Sequence, residues 1–258
     1  PLGPEGKVTF NLEAGYKTAT FLSSSHHIFL AIREANHISY KTDAEKGAGC
    51  WVWDKAEQKG KQIVGQNWRN PGFEQGAQHP VTCVSWNDAK KYIDWLNKRL
   101  NLPEGTYRLP SESEWEFALR AGGQGEFPWA DQSQCEVTNA ADSSLRDSGI
   151  LKSWQYADCN DGYVYTAPVA SLKPNIWGLY DMSGNVWEWV EDCWYENFEN
   201  APTDGSAWLE INGGNCSKRS IRGGSWFFKP AFLRSAFRFL NWADGANDSA
   251  GFRLARTL

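Results

Sequence analysis

Oxygen-bearing side chains crowd one short string, Gly178 to Trp194, which reads GLYDMSGNVWEWVEDCW. Asp181, Asn185, Glu188, Glu191 and Asp192 follow one another closely there. A hard cation such as Ca2+ takes about six to eight oxygens from the carboxylates and carbonyls of a tight loop, so this string has the composition of a calcium site. The competing reading makes Trp187 and Trp189 core anchors and leaves the carboxylates to cap turns or pair with arginine. A second string, Trp226 to Trp242, holds seven aromatic residues: Trp226, Phe227, Phe228, Phe232, Phe237, Phe239 and Trp242. Neither strand alternation nor a helical repeat fits them, and Lys229-Pro230 interrupts them. So many large rings in an irregular segment are hard to bury together. They have the character of a binding face, with some given over to core.

Other chemistries lack their residues. There is no G-x-S-x-G, no phosphate-binding P-loop and no H-E-x-x-H. The four histidines (His26, His27, His37 and His79) all lie in the N-terminal third and form no iron-binding facial triad by pattern. Six cysteines contain no C-x-x-C pair, which weakens zinc and thioredoxin readings. Buried free thiols and the disulfides of an exported protein remain alternatives.

The net charge of −5 is unevenly spread: residues 219–258 carry seven Lys/Arg against two Asp/Glu. Six of those seven cations are arginines set among aromatics, which suits ring stacking and carboxylate pairing. No nucleic-acid-binding motif accompanies them, so nucleic acid is not expected as a partner. No apolar run is long enough to span a membrane. The opening PLGP looks like the remnant of a protease site, and a leader or lipid anchor is expected to have preceded the present sequence.

Two helices must position these strings. In CVSWNDAKKYIDWLNKRL, Ser85 or Asn87 caps a helix whose apolar stripe is Ala89, Tyr92, Ile93, Leu96 and Leu100. In RLPSESEWEFALRAGG, Ser111 and Glu114 form a capping box, Trp115, Ala118 and Leu119 face inward, and Gly122-Gly123 end the helix. Beyond Gly123 the chain reads as short strands and turns. The expected fold is α+β: one domain over residues 1–258, two helices, a small twisted antiparallel sheet and long ordered loops.

The strings HPVTCVSWNDA, YRLPSESEWEFALRAGG, FPWA, GLYDMSGNVWEWVEDCW, IRGGSW, RSAFR and GFRLAR occur in this order. Together they resemble the formylglycine-generating-enzyme family, a variety of the C-type lectin fold, over residues 79–256; the first 75 residues are much less alike. The resemblance implies two calcium sites. One would use Asn139, the Ala140 carbonyl, Asp161 and the Tyr163 carbonyl. The other would use Asp181, the carbonyls of Gly184 and Val186, and Glu188, with Asp181 standing where the enzymes have asparagine. It also implies a copper-binding cysteine pair after GGS, but those positions hold Phe228 and Leu233 here, and no cysteine follows Cys216. Copper is therefore not expected.

Within that fold the C-terminal segment is similar to the variable proteins of diversity-generating retroelements, of the Treponema type. In these, adenine-directed mutagenesis rewrites surface positions between fixed scaffold strings. The fixed residues would be Arg222, Gly223, Gly224, Trp226, Arg234, Ser235, Arg238, Gly251, Phe252 and Arg253, the arginines satisfying loop carbonyls. The displayed set would be Phe227, Phe228, Phe232, Leu233, Phe237, Phe239, Leu240, Asn241, Trp242, Ala243, Gly245 and Asn247. All but Trp242 are reachable from an asparagine codon. The resemblance implies a non-enzymatic, monomeric display protein that binds a protein or other surface ligand, exported to the cell surface or periplasm. The alternative is a divergent enzyme of the same family without the copper pair, for example a periplasmic maturation factor.

Overall fold

The computed structural model describes the strands at 7–10 and 19–22 and residues 40–129, 134–210 and 215–257. The opening PLGP, His26, His27 and His37 lie outside the described residues. In chain order the elements are β1 (Lys7–Phe10), β2 (Ala19–Leu22), α1 (Asp43–Lys46), β3 (Cys50–Asp54), β4 (Lys59–Ile63), α2 (Trp86–Arg99), β5 (Tyr107–Arg108), α3 (Glu112–Arg120), α4 (Gln134–Val137), α5 (Ser143–Ser148), β6 (Trp187–Trp194), β7 (Asn215–Arg222), β8 (Arg238–Trp242), β9 (Ala250–Phe252) and β10 (Ala255–Thr257). One 3-10 turn, Pro230–Leu233, lies between β7 and β8.

The two helices read from periodicity are α2 and α3. Ser85 caps α2 and forms a capping box with Asp88. Ser111 and Glu114 do the same for α3. Ala89, Tyr92 and Ile93 are buried as expected, but Leu100 is 50% exposed because α2 stops one residue before it. The chain leaves α3 at Ala121, which adopts the left-handed conformation itself, one residue before the glycine expected to do so. Among the described residues α1, α4 and α5 are additional helices of four to six residues, too short to carry a legible period.

The strands form two four-stranded sheets, ordered β1-β2-β10-β5 and β8-β7-β6-β9, and a β3-β4 hairpin. The expected small antiparallel sheet is present in β6, β7 and β8, with β9 added parallel to β6, Glu188 opposite Gly251. Short loops favour antiparallel neighbours, but β9 reaches β6 only after the long excursion through β7 and β8. The main core packs α2 and the sheet face bearing Trp187, Trp189, Ile221 and Phe252.

All six cysteines are paired, Cys50–Cys83, Cys135–Cys159 and Cys193–Cys216, which overturns the free-thiol alternative. Two of the bridges tie an irregular segment to a regular element, and the third, Cys193–Cys216, joins the paired strands β6 and β7. Cys50–Cys83, for instance, holds the β3-β4 hairpin to the chain entering α2. Such links remove conformations from the unfolded chain and matter most where loops bury little apolar area.

Asp192 on β6 accepts from the backbone N–H groups of Glu112 (2.7 Å) and Trp208 (2.8 Å). Burial, with Glu112 and Glu191 nearby, pushes its carboxyl up to about 7. A carboxyl raised on folding makes the native state bind more protons than the unfolded chain between the two values, so stability falls as pH rises from about 4 to that raised value. Asp192→Asn, which keeps one acceptor and removes the titration, should make the decline in urea midpoint between pH 4 and 7 shallower than in the parent.

Candidate functional site

The aromatic segment lies over the β8-β7-β6-β9 sheet and is held from beneath by arginines. Arg222 is fully buried; it pairs with Glu116 and donates to the carbonyls of Phe237 and, at 3.0 Å, Ser235. Arg238 makes a two-point contact with Glu112 at 2.6 and 2.7 Å and donates to the Tyr195 carbonyl at 2.9 Å. Planar guanidinium groups suit such two-point pairing, and buried carboxylates need it. Arg253 does the same for Glu188 (2.5 Å at both oxygens) and reaches the carbonyls of Tyr180 and Asp181. The scaffold role assigned to these three arginines thus has direct contacts behind it. Arg234 is exposed; it bonds its own turn at the Ala231 carbonyl, lies over the Phe237 ring at 5.6 Å and has Glu126 at 3.9 Å.

Upon this frame opens a cleft of about 300 Å³. Seven of the twelve expected display residues line it: Phe228, Phe239, Leu240, Asn241, Trp242, Gly245 and Asn247. Phe232, Phe237 and Ala243 are half-buried beside it. Phe237 and Phe232 stack edge to face at 4.7 Å and join the main core. Two expected display residues are interior. Phe227 is 5% exposed, packed among Trp53, Trp154 and Trp226, and Leu233 is 1% exposed beneath Gly224. The reason is local: the turns at Gly223-Gly224 and Pro230–Leu233 send both side chains inward, Phe227 into the cluster of Ala141, Leu145, Ile150, Leu151 and Trp226.

The opposite wall comes from residues to which the sequence reading gave no role, Trp51 and Gln62 of the β3-β4 hairpin. Trp51 bonds the 246–248 loop through its own backbone, donating to the Ala246 carbonyl at 2.9 Å and accepting from Asp248 at 3.0 Å. Its ring lies flat over Gly60, where any Cβ would collide with it. The legible signal was a strand pattern, Cys50 to Asp54, that leaves a tryptophan on the exposed face. Trp187, read as a core anchor, also lines the cleft, and its buried indole N–H has no hydrogen-bond partner among the described residues.

The oxygen-rich string divides among structural tasks. Glu191 pairs with Lys90 at 2.9 Å, and Asn185 binds the Ala167 backbone through both ends of its amide. Glu188 is committed to Arg253 and to the Trp115 indole at 2.7 Å. The set Asp181, Gly184, Val186 and Glu188 therefore does not fit a calcium ion: Arg253 already supplies the positive charge that the expectation gave to the metal. Burial holds the Asp181 carboxyl above its ordinary range, while Arg253 works against that.

The set Asn139, Ala140, Asp161 and Tyr163 is different. The Asn139 amide nitrogen donates to the Tyr165 carbonyl at 2.9 Å, which leaves its buried oxygen without a partner. Asp161 accepts from the N–H groups of Ala140 (3.1 Å) and Tyr163 (2.8 Å). Burial, with Asp142 close by, pushes its carboxyl up to about 7. An orphaned amide oxygen beside an uncompensated carboxylate is the donor set a hard cation fits. Copper has no such fit: Phe228 is packed among Trp187, Phe227 and Phe232, Leu233 is closed off, and every thiol is in a disulfide.

Fold, arginine frame and cleft define a C-type lectin fold of the formylglycine-generating variety without its thiol pair. The family model "Sulfatase-modifying factor enzyme 1-like domain" matches residues 12–258, and the chain belongs to that family. The mouse formylglycine-generating enzyme is 32% identical over 251 residues, covering 85% of this chain and 61% of that enzyme. The chain thus spans about three fifths of the length of that relative. Among solved structures, PvdO from Pseudomonas aeruginosa superposes with a TM-score of 0.71 at 31% identity, over 93% of this chain and 81% of that one. Treponema denticola variable protein 1 shares the fold, with a TM-score of 0.54 at 24% identity over 75% and 78%.

The interleaving of buried and exposed rings has a measurable consequence. Phe227→Ala should cost about 3–5 kcal/mol, as for a core ring, and Leu233→Ala about 2–5. Phe239→Ser, at a residue 43% exposed with one stacking contact to Trp187, should cost about 1 kcal/mol. Urea unfolding of the three variants reads the difference directly; equal losses would place Phe239 in the core.

Proposed function

We propose that this chain is a non-enzymatic, ligand-binding member of the family that holds its ligand in the cleft between β8 and Trp51. The observation carrying this reading is that Phe228, at a position where the family's enzymes need a cysteine, is part of the cleft wall. What was a reactive position by family pattern is here an apolar contact surface. Exposed rings at the mouth, Trp242 at 53% and Phe239 at 43%, give the type of surface that dominates binding hot spots. The finer reading is that the displayed positions are diversified by a retroelement. The likeness in fold to a variable protein supports it, and the set is reduced to the ten positions other than Phe227 and Leu233. A reverse-transcriptase gene and a near-copy of the 3′ end differing at adenines, adjacent to this gene, are its expected signature. Three disulfides suit export to an oxidising compartment, the cell surface or periplasm.

A second reading, a divergent enzyme, is favoured by the identity to PvdO and to the mouse enzyme, higher than that to the variable protein. The two readings part on one assay. Incubated with a sulfatase-type cysteine peptide, copper and reductant, the protein should leave the peptide mass unchanged. Aldehyde formation above a protein-free control would reverse the conclusion.

Calcium belongs to this proposal through Asn139, the Ala140 carbonyl, Asp161 and the Tyr163 carbonyl. Bound there, it would neutralise Asp161 and rigidify the segment beneath the aromatic residues. A ligand bound only by the native state adds RT ln(1 + [L]/Kd), about 2.7 kcal/mol at a hundredfold excess. Chelation should therefore lower the Tm of the parent, and Asp161→Asn should remove most of that response. Glu188→Gln should be destabilising with or without chelator, since it weakens the pair with Arg253. A chelator response lost in Glu188→Gln and kept in Asp161→Asn would move the metal to the other set.

A further inference from the structure

The three disulfides do not stand in equivalent surroundings. Cys50 and Cys83 are both fully buried, which closes that bridge to outside reagents. In each of the other two, one cysteine is buried and its partner keeps part of its surface in solvent. Cys135 is buried and Cys159 half-buried; Cys193 is fully buried and Cys216 half-buried. A disulfide opens by attack of an outside thiolate on the accessible sulfur, and the other sulfur must leave as a thiolate. The charge facing the buried sulfur therefore sets which bridge opens first.

The two buried sulfurs meet opposite charges. Cys135 Sγ lies 3.6 Å from Oδ2 of Asp142, a carboxylate that repels a second negative charge. Cys193 Sγ lies 3.4 Å from Nη1 of Arg219, which stands opposite it in the β6-β7 register. That guanidinium is held in place: it donates to the Glu191 carbonyl at 2.8 Å and lies 3.7 Å over the Trp86 ring. Three carboxyl groups surround Arg219. Glu191 is answered by Lys90, Asp192 takes two backbone N–H groups, and Glu210 is exposed.

We propose that Cys193–Cys216 is a site of thiol–disulfide exchange, opened by a small dithiol at Cys216 with Cys193 as the leaving thiolate. The reductant's thiolate bonds to Cys216 Sγ, the S–S bond breaks, and its electron pair goes to Cys193 Sγ beside Arg219. The reductant's second thiolate then bonds to its own first sulfur and releases Cys216. The bridge gains two electrons, the dithiol becomes a cyclic disulfide, and its two protons end on the two cysteines. Opening the bridge unties the start of β7 from β6. That stretch holds the mouth of the cleft: the Ser217 carbonyl accepts from the Ala243 N–H at 2.8 Å, and the Lys218 ammonium lies 4.9 Å over the ring of Trp242, a lining residue. The exchange site stands on its own; only its bearing on binding rests on the cleft being the ligand site.

The test is graded dithiothreitol on the whole folded chain, with released thiols alkylated and mapped by peptide mass spectrometry. Cys193 and Cys216 should be alkylated about tenfold faster than Cys135 and Cys159, with Cys50 and Cys83 slowest. Glutathione, a monothiol that cannot cyclise, should be found bonded to Cys216 with Cys193 alkylated. Arg219→Lys should keep the preference, and Arg219→Gln should remove most of it. Asp142→Asn should speed opening of Cys135–Cys159; it leaves β6 and β7 untouched, which keeps the test open if Arg219→Gln folds poorly. Hydrogen–deuterium exchange at the Ala243 amide should rise once Cys193–Cys216 is open, while that at the Cys83 amide holds. Alkylation of all six cysteines together, or of Cys135 and Cys159 first, would overturn the exchange site. Glutathione on Cys193, or a preference unchanged in Arg219→Gln, would overturn it too. Selective opening with deuterium uptake at Ala243 unchanged would keep the site and overturn its link to the cleft.

Discussion

Glu188 sits on β6, an inner strand of its sheet, and its carboxylate is buried. A charge buried there without a partner would cost several kcal/mol, more than most single contacts return. Arg253 meets it with two donors, takes the Tyr180 and Asp181 carbonyls with the same guanidinium, and leaves the Trp115 indole to complete the set. One neutralised charge thereby joins α3, the 178–188 loop, β6 and the segment after β9. Because neighbouring residues of a strand face opposite ways, fixing Glu188 on one face also fixes Trp187 on the other. Phe228, Phe237 and Phe239 all rest against that indole. The cleft is therefore only as well defined as the buried pair beneath it.

A second buried set works at the edge of the same sheet. Arg222 and Arg238 share the buried Glu112, and Arg222 also meets the half-buried Glu116, which Arg120 answers from the solvent side. The carbonyls that Arg222 collects, those of Ser235 and Phe237, belong to the irregular chain between the 3-10 turn and β8. No regular ladder could satisfy them there, and buried carbonyls need a donor. A loop held this way does not depend on the identity of the rings it carries. That is why Phe227 and Leu233 can be core while Phe239 and Trp242 face outward in the same short segment.

The helices were legible because their caps and stripes are local: Ser85, Ser111 and Glu114 act within one turn of their own position. The arginine frame was legible as a class, six arginines among aromatics, but its partners were not, since Glu112 and Arg238 are far apart in the chain. The calcium reading misassigned Glu188 for the same reason. A carboxylate in an oxygen-rich string has the same sequence whether a metal or the distant Arg253 answers it. The cleft was half legible. One wall is the continuous string around β8, visible as rings that no period accommodates, whereas Trp51 and Gln62 arrive from a hairpin whose docking on residues 246–248 is a tertiary contact. Phe227 and Leu233 were misread because alternation, the only guide to facing, fails in a segment built from turns.

Replacing a thiol pair with Phe228 and Leu233 changes more than reactivity. A copper-binding thiolate needs access and a polar surround, and Leu233, closed beneath Gly224, has neither. Phe228 extends the ring system from Phe227 to Phe232 and closes one side of the cleft with carbon. The Trp187 indole N–H is buried behind that wall, with no acceptor among the described residues. A folded chain tolerates such a group when surrounding structure fixes it, and Trp187 is fixed from behind by the pair at Glu188. The frame therefore fixes the rings that wall the cleft, so that a position reactive by family pattern becomes a surface of defined apolar shape.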